Sequence, residues 1–228
     1  MEEPIQPLLR PSLTDLPRGP HGLARELVAG SQRQRLIHAI IMVVAGKGYI
    51  ATTVADVTGR AGVSRKTFYE HFADKEECFA AAARTGRELM IKRLEASFSR
   101  SASRSLDPIA TLRASIRVFL TLIAEEPEFA RAFFLETAAA GGRAQEEQVA
   151  CRVWFADSAR AWHARAGLPG RTPVPGAVYL AAADAAHEAV HRCLRQGRSA
   201  EIPDLEDTVL YVYLALLGMP EAAAGLRG

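Results

Sequence analysis

From about Leu23 onward, apolar side chains return every third or fourth residue, and no stretch alternates with period two for long enough to make a strand. That pattern excludes a sheet and gives the fold class as all-α. Leu36, Ile37, Ile40, Ile41 and Val44 share one face of a helix expected over Ser31–Lys47, with Gly46 and Gly48 where a C-cap glycine belongs. Ahead of it, Pro4, Pro7, Pro11, Pro17 and Pro20 interrupt residues 1–22, which read as a flexible arm.

Local signals punctuate the chain beyond Gly48. Thr53 with Asp56 three residues later fits a capping box, opening a short helix that ends near Ala61. Gly62 makes a tight turn, and Ser64 caps a second short helix from Arg65 to about Phe72. Asp74 opens a long helix that runs to a polar break at Ser101–Pro108. Five more helices are expected beyond it, at roughly 108–125, 127–139, 143–166, 174–196 and 204–218. The chain thus divides into the arm 1–22, a three-helix unit 23–75, and a helical unit 76–228 entered through a connecting helix, 76–100.

Two short helices joined by a glycine turn and packed on a longer one describe a helix-turn-helix. Val63, Phe68 and Phe72 suit its inner side, which leaves Arg65, Lys66, Thr67, Tyr69 and His71 for the other. The first residues of a recognition helix reach base edges, and an arginine such as Arg65 can donate two bonds to guanine O6 and N7. Lys66 can do the same or meet a phosphate. Thr53, Tyr69 and Lys75 suit phosphate contact, because hydroxyl and ammonium groups donate without needing base identity. Residues 31–75 hold seven Lys and Arg against three Asp and Glu, more than the net charge of +2 for the whole chain. In the arm, Arg18-Gly19-Pro20-His21-Gly22 suits a minor groove, although residues 1–30 carry four acidic residues against three arginines.

Ser31–Phe79 closely resembles the DNA-binding domain of the TetR family of transcriptional regulators. The residues that carry the likeness are Gly48-Tyr49, Thr52-Thr53-Val54, Ala61-Gly62-Val63-Ser64, Thr67-Phe68-Tyr69-Glu70-His71-Phe72 and Asp74-Lys75-Glu76. Many members have glycine or proline where this chain has Lys66. The resemblance implies phosphate contacts at Thr53, Tyr69 and Lys75, and base or backbone contacts from Ser64, Arg65, Lys66, Thr67 and His71. It also implies a ligand-responsive repressor in the cytoplasm, a homodimer on a palindromic double-stranded operator that a small-molecule effector releases. Such a protein has no catalytic residues and no cofactor.

The second unit supports pairing. In the last long helix Leu205, Val209, Val212 and Leu216 form one apolar stripe, while Leu210, Tyr213, Leu214 and Leu217 form another. A helix apolar on both sides is buried on both sides, so the first stripe is expected against a partner. Tyr179, Ala182, Ala186 and Val190 on the preceding helix join it, since alanines permit close helix approach. For the effector pocket, Phe119, Phe133, Phe134, Trp154 and Trp162 supply aromatic lining. His187, Glu136 and Arg131 are candidate polar anchors.

A competing chemistry is written at His187–His191, HEAVH, which matches the zinc-binding H-E-x-x-H helix of metalloproteases. With Tyr179 at the centre of the apolar face, His187 falls about 80° away, His191 about 120° and Glu188 about 180°, so the glutamate points from the core. Leu194, Gly197 and Tyr211 stand where the known extensions of the motif place glycine or a third ligand. A zinc hydrolase and a metal-sensing regulator using His187, His191 and Asp184 stay as alternatives, as does an architectural DNA-binding protein without a ligand. The expectation is no metal and no enzyme. Cys78, Cys151 and Cys193 form no C-x-x-C pair. No apolar run reaches the roughly 18 residues of a membrane span, and MEEPIQPLLRPSL does not read as a signal peptide.

Overall fold

A computed structural model describes residues 25–102, 107–166 and 174–225, and the expected arm at 1–22 lies outside them. The described residues form eleven α-helices and one 3-10 helix, with no strand among them. They fall into two compact units, one ending at Leu89 and including Glu128–Glu147, the other made of Met90–Pro127 and Gln148 onward. The boundary expected at 75/76 therefore falls inside the first unit.

In that unit α1 (Arg25–Lys47), α2 (Val54–Ala61) and α3 (Arg65–His71) pack on one another. Leu36, Ile37, Ile40, Ile41 and Val44 of α1 are all buried, with Val57, Ala61, Phe68 and Phe72 also buried. Removing about 25 cal/mol of penalty per Å² of apolar surface from water is what holds three such short elements together. The α2 capping box forms at Thr53 and Asp56, and Gly62 closes the helix at φ 62°. Only a residue without Cβ takes that left-handed turn cheaply, and the turn sets α3 against α2. Ser64 caps α3 by accepting the Thr67 N–H at 3.0 Å.

The helix expected over 127–139 is two helices, α6 (Pro127–Leu135) and α7 (Thr137–Ala140), broken at Glu136. With the first turn of α8 (Gly142–Arg165) they complete the first unit around the start of α4 (Lys75–Ala102). Gly141, at φ 107°, joins α7 to α8; a Cβ there would stand 2.9 Å from Glu76 Oε1. The left-handed conformation demands glycine there, whereas the Glu76 carboxylate is the end of a flexible side chain that can shift.

In the second unit α5 (Pro108–Glu125) packs on a 3-10 helix (Ser199–Leu205) and on α10 (Glu206–Leu216), which also packs on α9 (Gly176–Arg195) and on the short α11 (Pro220–Ala224). Arg113 and Arg117 of α5 pair with Glu206 at 3.0 and 2.7 Å, fixing α5 to the first turn of α10. The inner stripe of α10, Leu210, Tyr213 and Leu214, is buried as the two-stripe pattern requires.

The face expected to meet a partner is different. Tyr179, Ala182, Ala186, Val190 and Val209 are already buried within the single chain. The apolar pattern reports burial, and here the chain's own core supplies it. Of the expected set, Leu205 and Val212 are half-buried and Leu216 is 39% exposed. Leu180, on the other side of α9 from the buried alanines, is exposed to the same degree.

Candidate DNA-binding face and effector region

On α3, Phe68 is fully buried and Phe72 nearly so, with their ring centroids 5.8 Å apart. That anchor turns Ser64, Arg65, Lys66 and Tyr69 outward, Tyr69 being 52% exposed; Thr67 and His71 lie on the flanks, half-buried. Ser64 and Thr67 bond to each other at 2.9 Å, so both hydroxyls are tied to the α3 cap. The exposed face thus offers one guanidinium, one ammonium and one phenol within the first turns of α3.

Thr53 is exposed at the N-terminus of α2, where unsatisfied backbone N–H groups favour an anion. Asp56 accepts from the Thr53 N–H at 2.8 Å, from its hydroxyl at 2.6 Å and from Lys47 Nζ at 2.6 Å. The Lys47 ammonium and the Thr53 donors hold the Asp56 carboxyl far below the ordinary carboxylate range.

Lys75 has a structural duty that its sequence position does not reveal. Its Nζ donates to the carbonyl oxygens of Tyr49 and Thr52, each at 2.8 Å, and stands 4.0 Å from the centre of the Tyr49 ring. Two of its three donors are therefore spent on the α1–α2 turn. Partial burial, with the Lys47 charge adding to it, lowers its pKa.

Other contacts to this region come from far along the chain. Glu136 accepts the Tyr49 N–H at 2.8 Å, and Arg131 Nε reaches the Ala45 carbonyl at 3.4 Å. Both were candidate anchors for an effector; in the structure they serve the helix-turn-helix. Arg143 pairs with Asp74 at 2.8 Å and Glu76 at 3.2 Å, and Glu147 with Arg84 and Arg87 at 2.7 and 3.0 Å. The partners lie 60 to 87 residues apart, and no short-range pattern marks them.

The six residues expected to line a pocket are divided between the two units. Phe133 and Phe134 are buried in the first unit, where Phe133 stacks on Phe129 at 5.3 Å. The other four lie in the second unit, where a run of rings passes from Phe98 to Trp154 (6.4 Å), Phe155 (5.1 Å) and Phe119 (4.9 Å). Phe98, Trp154 and Phe155 are each only half-buried. Phe98 lies near the end of α4, outside the middle helices from which the expected lining was drawn. Trp162 sits apart, its Nε1–H donating to the Pro108 carbonyl at 2.9 Å, beside a buried His163–Tyr179 pair at 2.9 Å.

His187 and His191 stack nearly parallel, 6.3 Å between centroids. Glu188 is exposed and 3.6 Å from His191, while Asp184 pairs with Arg152 at 3.1 Å. Burial first, then the charges of Arg152 and His191, pull the His187 pKa down to about 4. Among the described residues, no three His, Cys, Asp or Glu side chains are placed to hold a metal ion.

Residues 36–82 match the family model of bacterial regulatory proteins, tetR family. Over those residues the chain carries a DNA-binding domain of the tetR type. It is 31% identical over 127 residues to the HTH-type transcriptional regulator EthR of Mycolicibacterium smegmatis, which covers 53% of this chain and 54% of EthR. It is 26% identical over 143 residues to the HTH-type transcriptional activator FasR of the same organism, covering 63% and 61%. These matches span little more than half the length of either relative. The fold is similar to that of FadR from Bacillus subtilis solved in complex with stearoyl-CoA, with a TM-score of 0.68, 17% identity, and coverage of 81% of this chain and 97% of FadR. That likeness is one of TetR fold, and it extends over both units. Among the described residues no helix is long and apolar enough to cross a membrane.

Proposed function

We propose that this chain is an effector-responsive TetR-family repressor in the cytoplasm, binding a palindromic operator as a homodimer and leaving it when a small molecule binds. The observation that carries the reading is the α3 face. Phe68 and Phe72 fix the helix from beneath, and Arg65, Lys66 and Tyr69 stand outward beside the exposed N-terminus of α2. Arg65 is assigned to base edges, Lys66 to a base or phosphate, and Thr53 and Tyr69 to phosphates on either side. Two copies paired by a two-fold axis would set two such helices about one DNA turn (~34 Å) apart.

The pairing surface we assign is the side of α9 and α10 that the chain leaves open, with Leu180, Val212 and Leu216 at its centre. The effector region is the run of rings formed by half-buried Phe98, Trp154 and Phe155 and buried Phe119, which suits an apolar or aromatic ligand. The fold neighbour FadR was solved with stearoyl-CoA, an apolar chain on a polar head. A ligand here shifts operator occupancy only by its differential affinity for the two conformations of the dimer.

Selection of bound duplexes from random DNA tests the reading. It should return one motif with two inverted half-sites, and Arg65→Ala should relax one position in each half-site at a cost of about 1–3 kcal/mol. A pool that stays random, or uniform coating of any DNA, would refute sequence-specific regulation. FasR is named an activator, so transcription from the recovered site, with and without chain, decides the sign.

A further inference from the structure

The turn between α1 and α2 leads directly into Thr53, and several of its polar groups are tied. Gly48 N–H donates to Val44 O at 2.8 Å, and the Thr52 hydroxyl donates to Gly48 O at 2.7 Å. Thr52 N–H and Lys75 Nζ both donate to the Tyr49 carbonyl, at 3.1 and 2.8 Å. The Tyr49 ring is buried against Phe79, 5.3 Å between centroids. Lys75 Nζ also donates to the Thr52 carbonyl at 2.8 Å. The Tyr49 N–H donates to Glu136 Oε2 at 2.8 Å, and among these bonds it alone comes from beyond α4.

Glu136 is also the residue at which the α6 helix breaks. It is half-buried, and its carboxylate faces Gly48 so closely that a Cβ there would lie 3.5 Å from Oε2. The segment that carries it is independently fastened nearby, through Arg143 to Asp74 and Glu76. A charged acceptor on a backbone N–H is one of the stronger hydrogen bonds available to a protein, and it is directional. Here it fixes the backbone just before the capping box of α2, which closes at Asp56 on the Thr53 N–H.

We propose that Glu136 is a positioning residue for operator recognition, holding the Tyr49 amide and so setting the turn that presents Thr53 and the α2 N-terminus to the DNA backbone. The inference rests on the DNA-binding reading above. Glu136 does not touch DNA in this scheme; it acts through the turn, and its effect falls on specific binding. Non-specific affinity depends on the cations of the face, which stay in place.

The experiment uses the full chain and the duplex that the wild type selects, beside a scrambled duplex of equal length. Glu136→Ala should weaken the selected duplex about tenfold, the scale of one charge-assisted hydrogen bond. The scrambled duplex should bind as before or slightly tighter, and the Tyr49 amide should exchange faster with deuterium. Glu136→Gln keeps the acceptor oxygen and should restore most of the affinity and protection. Glu136→Asp keeps the charge but withdraws it by one methylene, and serves if the alanine variant does not fold; it should lose affinity for the selected duplex. Unchanged specific affinity in Glu136→Ala, or in Glu136→Asp where that serves, would overturn the proposal, as would equal loss on both duplexes or an unaltered Tyr49 amide. If the wild type selects no duplex, the DNA-binding reading fails instead, while the exchange at Tyr49 still reports on the bond.

Discussion

Gly86 offers a change whose sign is set by one ring. It lies inside α4 with ordinary helical backbone, so alanine there should gain about 1 kcal/mol of helix propensity. A Cβ at Gly86 would stand 2.0 Å from Phe129 Cε2, 2.4 Å from Cζ and 2.9 Å from Cδ2. Phe129 is buried and stacked on Phe133, also buried, so the ring has nowhere nearby to swing. It must retreat by roughly 1 Å or more to reach ordinary carbon contact distance, which ends its packing or moves the α6 backbone. Overpacking of this kind costs about 1–3 kcal/mol, and three ring atoms inside contact distance argue for the upper end. The balance, set against the gain in propensity, is a loss of about 1–2 kcal/mol.

For a chain of this size each kcal/mol moves the melting temperature by about 2–4 °C, so Gly86→Ala should melt about 2–8 °C lower. Gly59→Ala is the control. It is also helical, within α2, and its added Cβ meets nothing within 4 Å. It should raise stability by about 0.5–1 kcal/mol. The pair is measured by thermal unfolding and by denaturant midpoint. A double variant, Gly86→Ala with Phe129→Leu, should lose less than the two single changes added together, because the clash is shared. A Gly86→Ala protein as stable as the wild type, or strict additivity in the double variant, would refute the packing of α6 on α4.

Two more outcomes rest on individual contacts. Lys75→Met keeps the aliphatic stem but withdraws the ammonium from two carbonyls; it should cost about 2 kcal/mol in denaturant unfolding, whereas a side chain serving only phosphate would leave stability unchanged and lower only DNA affinity. For His187 the folded pKa of about 4 lies below the unfolded value near 6.5, so the unfolded chain holds more protons between those two pH values. Its contribution is complete above pH 6.5 and is lost as pH falls towards 4, by at most about 3 kcal/mol. His187→Gln should flatten the stability curve in that window, and an unaltered slope would show that other groups cause it.

The helix-turn-helix was legible because its instructions are short-range. Thr53 reads Asp56 three residues on, Ser64 reads Thr67, and Gly62 needs only its own φ. Periodicity likewise located the buried faces of α1, α9 and α10, but it carries no information on what buries them. Ala182 and Val190 look the same in sequence whether α10 of the same chain or a second copy covers them. The break at Glu136 has neither proline nor glycine to announce it, and the partner of its carboxylate lies 87 residues away. HEAVH shows the converse, a short pattern that is fully present while its glutamate stands outward beside His191.

Charge is where counting and structure diverge most usefully. Residues 31–75 hold seven cations, which suggests a broadly basic head. Lys47 is bound to Asp56, Lys75 holds two carbonyls, and Arg33 lies over the Phe72 ring at 5.2 Å. Arg35 Nε is buried. Arg60, Arg65 and Lys66 are the exposed cations of α2 and α3. The head therefore presents far less loose positive charge than its composition implies, and a face so constituted leans on geometry more than on bulk attraction. Geometry at the α2 N-terminus is set by the turn that Lys75 and Glu136 grip, so both bear on how the contacts proposed for Thr53, Arg65 and Lys66 find their places.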